Sequence, residues 1–599
     1  MSHWYFRRYV TSEEERAGRA SPQLLREVAA MVRPYWAKMV ALLAAAIVGI
    51  ASNLAVPYIT KQMIDVGVLR GDVAALTALS LTYLAALGAS WAASYVRGYY
   101  TSWVANRVIY DLRVRMFKHL HRLDLDYFAR NPPGKVMSRI INDTESLGEA
   151  VSVGVVDLVA SVLTLGGALL IMVKLSLELS LVAFSIVPIM AVATLVIARR
   201  TRRAHLRTRE KVAEVTSELE KSVAGAREML TYIMRRRASI REFARVNLET
   251  LRASLEATKM TASISPVMNL IRAGGICAVL WYGGHLLVEG RVTVGTLVAF
   301  FGYLEMFFRP VMTLTMFYNT IQAALAALER IVGFLKEEPR VKERPDAVEL
   351  RDVAGEVVFE DVWFGYDPSR PVIRGVSLRI RPGERVAIVG PTGAGKTTLV
   401  SLLLRFYDPQ RGRVLIDGVD VRDVKIESLR RCVGYVPQEA VLFSGTVMDN
   451  IKFGRDVPDE EVVELCKLIG LHELIMQLPQ GYQTPVREGG KNLSVGQRQL
   501  IAVARALLTN PKILVFDEAA SSVDPVTEEK IRRTISTLLR GRTCIIIAHR
   551  LSMAAGADRI VVMDGGRVVE EGTHEELLKK GGLYAHLYEI QYGRAAVSP

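Results

Sequence analysis

The sequence predicts an all-α transmembrane domain of six helices with long cytosolic helical extensions, followed by an α/β domain. Half of the 599 residues are hydrophobic although 23% are charged, and the mean hydropathy is +0.22. These values indicate that apolar and charged residues are concentrated in different regions. Long apolar stretches fill the first half of the chain, and short β-branched runs alternate with helical patterns in the second half.

The membrane prediction depends on six apolar stretches, each of about 20 residues or more, which is the length that crosses a bilayer core. Six such stretches in one region are rare in soluble proteins, so buried helices of a large soluble protein are a poor alternative. The predicted spans are Met39–Ile59, Ala75–Val96, Val151–Val173, Leu177–Ala198, Ile264–Val288 and Val294–Leu314.

The charged segments between the spans predict the orientation. The long segments Arg97–Ala150 and Arg199–Met260 are rich in Lys and Arg, whereas the segments on the other side are short and carry few. Because positive charge stays on the cytosolic side, both long segments and both termini are predicted to be cytosolic. This asymmetry explains the net charge of +14 without nucleic acid as a partner. Few Asn and Gln and many Arg residues indicate a thermophilic prokaryote, with the chain in its plasma (inner) membrane.

Four regions are predicted along the chain. They are a cytosolic N-terminal segment with an interfacial elbow helix (1–38), the transmembrane domain (39–335), a charged linker (336–352) and the α/β domain (353–599). A plain soluble helix remains the alternative for the elbow. Each long cytosolic segment should reverse through a short helix, near residues 127–134 and 226–232. The four scattered cysteines form no CxxC pair, which disfavours a zinc site or a disulfide framework.

A phosphate site is predicted where the buried strand Arg385–Val389 runs into a glycine-rich loop and a helix. The loop has the P-loop pattern G-x-x-x-x-G-K-[ST] in its strand–loop–helix context, which indicates a P-loop NTPase domain. Its backbone N–H groups would surround phosphate, Lys396 would neutralise the β and γ phosphates, and the Thr397 hydroxyl would bind Mg²⁺. The predicted ATP-contacting residues are Gly390, Pro391, Thr392, Gly393, Ala394, Gly395, Lys396, Thr397 and Thr398.

Two further strands end in residues that can act on a phosphate. The strand from Lys512 ends in Asp517, which would join the Mg²⁺ shell, and Glu518, which would orient or deprotonate the attacking water. The strand from Thr543 runs to His549, whose position suggests a contact with the γ-phosphate, although a lone His is more often structural.

A second anion site is predicted at Leu493–Gln499, which opens a helix. Ser494, Gly496 and the helix N–H groups can bind a phosphate. One P-loop does not need a second site, so the motif would hold the γ-phosphate of an ATP bound by another subunit. A plain helix cap is the alternative.

With these motifs in this order, the chain resembles ABC transporters, specifically half-size exporters of the multidrug, lipid and peptide type, over essentially its whole length. The resemblance implies an ABC ATPase domain in which Tyr366 stacks on adenine and Gln438 senses Mg²⁺ and the attacking water. Leu493–Gln499 matches the signature, which adds Gln497 to the ATP contacts, and Ser522–Asp524 matches a loop that crosses between two ATPase domains, which adds Asp524. The catalytic residues implied are Glu518, His549, Gln438 and Lys396, and the Mg²⁺ residues are Thr397, Gln438 and Asp517.

The resemblance also implies a second half-transporter as partner. Two ATPase domains would meet head to tail around two ATP molecules, and the membrane helices would alternate between inward-open and outward-open. Val495 replaces the first Gly of the usual signature, and Arg487 replaces a Gly of a segment that contacts coupling helices. Val495 allows a heterodimer with unequal sites, whereas the presence of both Glu518 and His549 favours a homodimer.

The substrate pathway is predicted from two charges inside spans, since such charges are costly and often functional. By helical rise, Arg272 and Glu305 could lie at similar depth, so the sequence predicts that they pair or line the cavity. The alternative is that they are unrelated and face cytosolic water. The surrounding Met, Phe and Tyr residues favour a small amphipathic or lipidic cargo, with membrane lipid as a second partner.

Other classes remain open at this stage. An ABC-type channel or regulator would use ATP only for gating, and the intact Glu518 argues against it. A soluble P-loop ATPase of chromosome or repair type disagrees with the six spans. An importer is disfavoured because importers generally encode their membrane and ATPase parts on separate chains.

Overall fold

A computed structural model describes residues 31, 33–153, 155–517, 541–548 and 551–593. The chain divides into two compact units. Unit 1 contains the described residues up to His121 together with Pro133–Glu337, and unit 2 contains Arg122–Pro132 together with the described residues from Glu338 onward.

The described residues of the first part of the chain form helices joined by short turns. Short π-helical segments lie at Met63–Val68 and Arg139–Asp143. The helices belong to unit 1 except Leu125–Arg130, which belongs to unit 2. The helices are α1 (Trp36–Gln62), α2 (Val73–Leu120), α3 (Leu125–Arg130), α4 (Pro133–Ser138), α5 (Thr144–Val153), α6 (Val155–Leu175), α7 (Leu177–Phe184), α8 (Ile186–Ala224), α9 (Ala226–Thr231), α10 (Ile233–Ala262), α11 (Ile264–Val288) and α12 (Val294–Leu335).

Helices lie at all six predicted span positions. Among the described residues, four helical stretches are long and apolar enough to cross a membrane, namely Arg33–Val68, Val73–Leu120, Leu177–Ala224 and Arg235–Val288. Shorter apolar helices at Val159–Leu175 and Val294–Met306 coincide with the third and sixth predicted spans. The predicted reversals are confirmed as well, because α3 and α4 form one and α9 forms the other.

Polar contacts hold the helices of unit 1 in register. The Tyr303 hydroxyl on α12 donates to the Leu54 carbonyl oxygen on α1 at 2.8 Å. Just beyond the C-terminal end of α1, in the π-helical segment Met63–Val68, the Asp65 carboxylate accepts from the Thr293 hydroxyl at 2.6 Å and from the Gly295 N–H at 2.9 Å. These bonds join the first and last helices of the unit at two levels.

Unit 2 contains the predicted α/β domain. The strands are β1 (Val357–Phe364), β2 (Ile373–Ile380), β3 (Arg385–Val389), β4 (Arg411–Ile416), β5 (Val419–Asp420), β6 (Val433–Val436), β7 (Gly445–Thr446), β8 (Pro485–Val486), β9 (Ile513–Asp517), β10 (Thr543–Ile547), β11 (Arg559–Asp564) and β12 (Arg567–Gly572). The central sheet has the order β12-β11-β3-β10-β9-β6 and is parallel except for the edge strand β12, and an antiparallel sheet has the order β2-β1-β4-β5.

The central strands are parallel and buried because their sequences are continuous apolar runs, which need cover on both faces. Every residue of β9 and β10 is buried. Helices of unit 2 and, on one face, the antiparallel sheet provide this cover, and buried side chains form one cluster on each face. The helices are α13 (Lys396–Leu403), α14 (Ile426–Cys432), α15 (Val447–Lys452), α16 (Asp459–Leu468), α17 (His472–Met476), α18 (Val495–Leu507), α19 (Leu551–Ala554), α20 (His574–Lys580) and α21 (Leu583–Tyr592).

Candidate active site

The P-loop follows β3 and leads into α13, as predicted. Gly390 and Gly395 have φ values of 147° and 98°, a region that favours glycine. A Cβ at Gly390 would lie 2.0 Å from the carbonyl oxygen of Met563 on β11, so this position also requires glycine for close packing. The Lys396 ammonium donates to the carbonyl oxygens of Gly390 at 2.8 Å and Pro391 at 3.0 Å. The loop therefore curls around the lysine head group, and the N–H groups that begin α13 form the anion-binding end of the helix.

The predicted Mg²⁺ residues Thr397 and Asp517 come together. The Thr397 hydroxyl lies 3.4 Å from Asp517 Oδ1, and Asp517 is 2% exposed at the end of β9. Tyr435 on the neighbouring strand β6 donates its hydroxyl to Asp517 Oδ2 at 3.3 Å. Burial raises the pKa of Tyr435, and the adjacent carboxylate raises it further, so the hydroxyl stays a donor. The sequence did not reveal Tyr435, because only the pairing of β6 with β9 brings it to Asp517.

The donor set fits Mg²⁺. One hydroxyl and one carboxylate supply the hard oxygen ligands that this ion prefers, and phosphate oxygens and water usually complete its shell. The described residues contain no cluster of three or more His, Cys, Asp or Glu side chains that could hold a metal without a nucleotide. When bound, the ion would neutralise charge on the β and γ phosphates.

Tyr366 lies in an aromatic cluster beside the P-loop helix. Its ring centroid is 5.2 Å from those of Phe364 and Tyr407, in edge-to-face geometry. Its hydroxyl is 3.2 Å from the hydroxyl of Thr398 on α13. The ring is 48% exposed, which leaves a face available for adenine. The sequence did not indicate that Tyr407 contacts Tyr366, because the two residues lie far apart along the chain.

The signature begins α18. The Ser494 hydroxyl accepts the Gln497 N–H at 3.2 Å, and the Gln497 side chain accepts the Ser494 N–H at 2.9 Å, so the two residues form a capping box. Ser494 and Val495 are exposed, whereas Gly496 is buried. Val495 therefore takes the place of the usual glycine on the outside of the helix start without disrupting the cap.

The signature helix is bonded to the segment that carries Gln438. The buried Gln499 side chain donates to the Pro437 carbonyl oxygen at 3.0 Å. Gln438 itself is exposed.

The predicted residues Glu518, Asp524 and His549, as well as Ser522, lie outside the described residues, so their roles stay predictions.

A segment from between α2 and α4 packs within unit 2. Asp126 on α3 is 8% exposed, and its carboxylate is paired with Arg130 at 2.7 Å and with Arg340 at 3.1 Å. Asp124 accepts the backbone N–H groups of Arg340 and Val341. Burial raises the pKa of Tyr407, and the charges of Asp126 and Asp124 raise it further. The reversal helix α3 is thus bonded to residues of the predicted linker.

The predicted pair in unit 1 is present. The Arg272 Nη1 atom donates to Glu305 Oε1 at 3.1 Å, between α11 and α12. Whether this pair belongs to a substrate pathway stays a prediction.

Comparison with known proteins agrees with this geometry. The family model of the ABC transporter transmembrane region matches residues 39–311, and that of the ABC transporter matches residues 373–521. The chain belongs to the ABC transporter family, as an exporter with its membrane and ATPase regions fused. It therefore binds ATP and couples ATP hydrolysis to transport, as a multi-pass membrane protein that associates with another half-transporter.

Individual relatives cover most of the chain. YknV of Bacillus subtilis (strain 168), an uncharacterized ABC transporter ATP-binding protein, is 40% identical over 84% of this chain and 84% of its own. The ATP-dependent lipid A-core flippase of Syntrophus aciditrophicus (strain SB) is 34% identical over 96% of both chains. The structure of a bacterial Atm1-family ABC exporter with ATP bound is similar with a TM-score of 0.75 and 31% identity, over 93% of this chain and 98% of that one.

Proposed function

We propose that the chain is a half-transporter that forms a homodimer and exports an amphipathic or hydrophobic substrate from the cytosol or the inner leaflet by alternating access. The substrate would be a drug-like compound, a lipid or a peptide. The ATPase region would face the cytoplasm of a thermophilic prokaryote, and each ATP would be bound with Mg²⁺. The lipid A-core flippase among the relatives supports an amphipathic substrate.

The packing of Arg122–Pro132 within unit 2 is the observation that carries this proposal. The segment is covalently continuous with α2 before it and with α4 after it. The Asp126–Arg340 pair and the bonds from Asp124 fix it to unit 2. Any displacement of unit 2 would therefore pull on the ends of two helices through the chain itself.

Each residue of the site would have a separate role in the ATPase cycle. The P-loop N–H groups and Lys396 would bind the phosphates, Tyr366 would stack on adenine, and Glu518 would orient or deprotonate the attacking water. His549 and Gln438 would contact the γ-phosphate and the water. Ser494 and Gly496 would bind the ATP held by the partner subunit, so one chain contributes to two sites.

Reconstitution of the chain expressed alone tests the proposal. We expect steady ATP hydrolysis and ATP-dependent movement of a fluorescent phospholipid across liposomes. Glu518→Gln should lower hydrolysis by about 100-fold or more, because a positioned general base contributes about 10²–10⁴-fold. Lys396→Ala is the matched control that weakens nucleotide binding instead.

Three outcomes would contradict this function. ATP-dependent ion conductance without movement of any amphiphile would indicate a channel. Hydrolysis that survives Glu518→Gln would exclude the proposed site. A chain that is inactive alone but hydrolyses ATP with a second half-transporter from the same organism would indicate a heterodimer with unequal sites.

A further inference from the structure

The helix α8 is 39 residues long and continues well past the end of the predicted span at Ala198. Directly after the span it carries six arginines within eleven residues, namely Arg199, Arg200, Arg202, Arg203, Arg207 and Arg209. All six side chains are exposed, and none forms an ion pair with any part of the chain that the structure describes. Their positive charge is therefore open to an external anion.

The six arginines share one side of α8. At about 100° per residue they fall within one half of the helix circumference, which we call the arginine face. The other half contacts the neighbouring helices of unit 1. There Ile186 and Met190 are buried, and the His205 ring lies 3.3 Å from the Thr261 hydroxyl of α10. The arginine face is thus the side of α8 that points away from its neighbours.

Within the predicted span, the same half of α8 is apolar and exposed. Four apolar side chains there are 43–61% exposed, namely Ile189, Val192, Leu195 and Val196. Exposed apolar side chains within a span are covered by the hydrocarbon of the bilayer. Charges are costly in that layer, so the arginines must lie beyond it. The boundary between hydrocarbon and headgroups therefore falls between Val196 and Arg199, about one helical turn apart on one face.

The direction of α8 brings the arginine side chains to the lipid headgroups. The headgroup region is about 5–8 Å thick on each side of a bilayer core. At 1.5 Å per residue, Arg203 lies at most about 8 Å and Arg209 at most about 17 Å beyond Ala198. Side chains of a helix lean toward its N-terminus, which for α8 is the membrane side. Even the last guanidinium of the face therefore lies within about one Debye length of the headgroups.

The arginine face has almost no compensating charge within the chain. Arg203 lies four residues from both Arg199 and Arg207, a spacing at which like charges destabilise a helix. Between positions 199 and 213 the chain contains a single acidic residue, Glu210. Glu210 is exposed and forms no ion pair within the described residues. Anions bound from outside would remove the repulsion between the arginines.

We propose that the arginine face of α8 binds the headgroups of anionic phospholipids, whose acyl chains cover the apolar side chains of the same face. A guanidinium can bind a phosphate through two parallel N–H···O bonds, and each cation near an anionic surface contributes about fivefold in affinity. This lipid belongs to the surrounding bilayer and is not the exported substrate, so the site goes beyond the export function. It uses from that proposal only the placement of this end of α8 at the cytosolic leaflet.

The test uses the purified full chain in dodecyl maltoside micelles without nucleotide, and phosphatidylglycerol with a fluorescent acyl chain as the probe. We expect saturable binding by fluorescence anisotropy, at least about tenfold tighter than that of phosphatidylcholine with the same label. Salt raised from about 0.1 M to about 0.5 M should weaken the binding severalfold. Glycerol 3-phosphate, which has the phosphate but no acyl chains, should not displace the probe at concentrations at which unlabelled phosphatidylglycerol does. These measurements need no variant, so they decide the question even if a substitution impairs folding.

A variant without the central charges of the arginine face assigns the site. R199Q/R200Q/R203Q/R207Q should bind phosphatidylglycerol about tenfold more weakly or worse, and phosphatidylcholine as the unaltered chain does. The corresponding variant with four lysines keeps the charge, so it should retain most of the preference for phosphatidylglycerol.

The control variant removes four arginines that lie far from the membrane. R235Q/R236Q/R237Q/R241Q takes the same charge from α10, where all four side chains are exposed. By helical rise these positions lie about 35–43 Å from the predicted span that begins at Ile264, which is several Debye lengths. The control should therefore bind phosphatidylglycerol as tightly as the unaltered chain.

Three results would overturn this inference. The first is equal affinity of the unaltered chain for phosphatidylglycerol and phosphatidylcholine. The second is displacement by glycerol 3-phosphate as effective as that by phosphatidylglycerol, which would indicate a site for soluble phosphate. The third is binding by R199Q/R200Q/R203Q/R207Q that matches the control variant. Failure of the export function would appear separately, as basal hydrolysis that Glu518→Gln does not change.

Discussion

The ion pair between Asp143 and Arg330 offers a quantitative test of how unit 1 is held together. Asp143 ends the π-helical segment Arg139–Asp143 and is 7% exposed. Its two carboxylate oxygens accept from Nε and Nη2 of Arg330, on α12, at 2.7–3.2 Å. This is the bidentate geometry in which an arginine–carboxylate pair is strongest. We expect Asp143→Asn to destabilise unit 1 because it removes the charge and leaves the guanidinium only partly paired.

The size of the destabilisation by Asp143→Asn follows from how deeply the ion pair is buried. Breaking a fully buried pair costs about 3–5 kcal/mol, whereas exposed pairs contribute about 0.2–1 kcal/mol. The Arg330 side chain is 37% exposed, so solvent screens part of the interaction. The structure therefore predicts a loss of about 2 kcal/mol in the free energy of unfolding for Asp143→Asn, between the two limits.

The assay is a double-mutant cycle on the full chain, with unfolding followed by detergent titration in mixed micelles. Asp143→Asn, Arg330→Gln and the double variant should give a coupling energy of about 1–2 kcal/mol. The exposed Arg107–Asp111 pair on α2 is the control, with an expected coupling below about 1 kcal/mol. Additive effects at Asp143 and Arg330, with a coupling below about 0.5 kcal/mol, would refute the reasoning.

Three further predictions concern unit 2. Tyr435→Phe removes the donor to Asp517 and should raise the Mg²⁺ concentration for half-maximal ATP hydrolysis about tenfold; an unchanged Mg²⁺ dependence would exclude this role. Gly390→Ala should weaken ATP binding far more than Gly393→Ala, because both have positive φ but only Gly390 meets a neighbouring backbone; equal losses in a nucleotide-binding assay would contradict this. The Arg385 guanidinium lowers the pKa of Asp558, so this ion pair should stabilise the fold at neutral pH and cease to do so as the pH falls below about 4. Asp558→Asn should flatten this decline when the free energy of unfolding is measured against pH.

Local patterns predicted much of this molecule. The spans follow from apolar runs whose lengths match a bilayer, and α11 has the same bounds as the predicted span Ile264–Val288. The P-loop follows from a fixed spacing of glycines after a strand, and β3 has the predicted bounds Arg385–Val389. Both signals depend on residues that are neighbours in sequence.

Contacts between distant segments could not be predicted in this way. Tyr435 reaches Asp517 only because β6 pairs with β9, and the sequence alone does not fix the order of strands in a sheet. The membership of Arg122–Pro132 in unit 2 depends on the pairing of Asp126 with Arg340, two charges in otherwise ordinary polar segments. The assignments of Glu518, Asp524 and His549 stay predictions from the motifs alone.

The position of β3 between β10 and β11 has a consequence for the order of events during synthesis. The P-loop packs against Met563, which follows Gly390 by about 170 residues and leaves a ribosome roughly 10–35 s later at 5–20 residues per second. All six spans emerge before Gly390, so they can enter the bilayer while the nucleotide site still lacks its supporting strand. A nascent chain of this protein would therefore become a membrane protein well before it could bind ATP, and a chain truncated before β11 would insert without an intact P-loop.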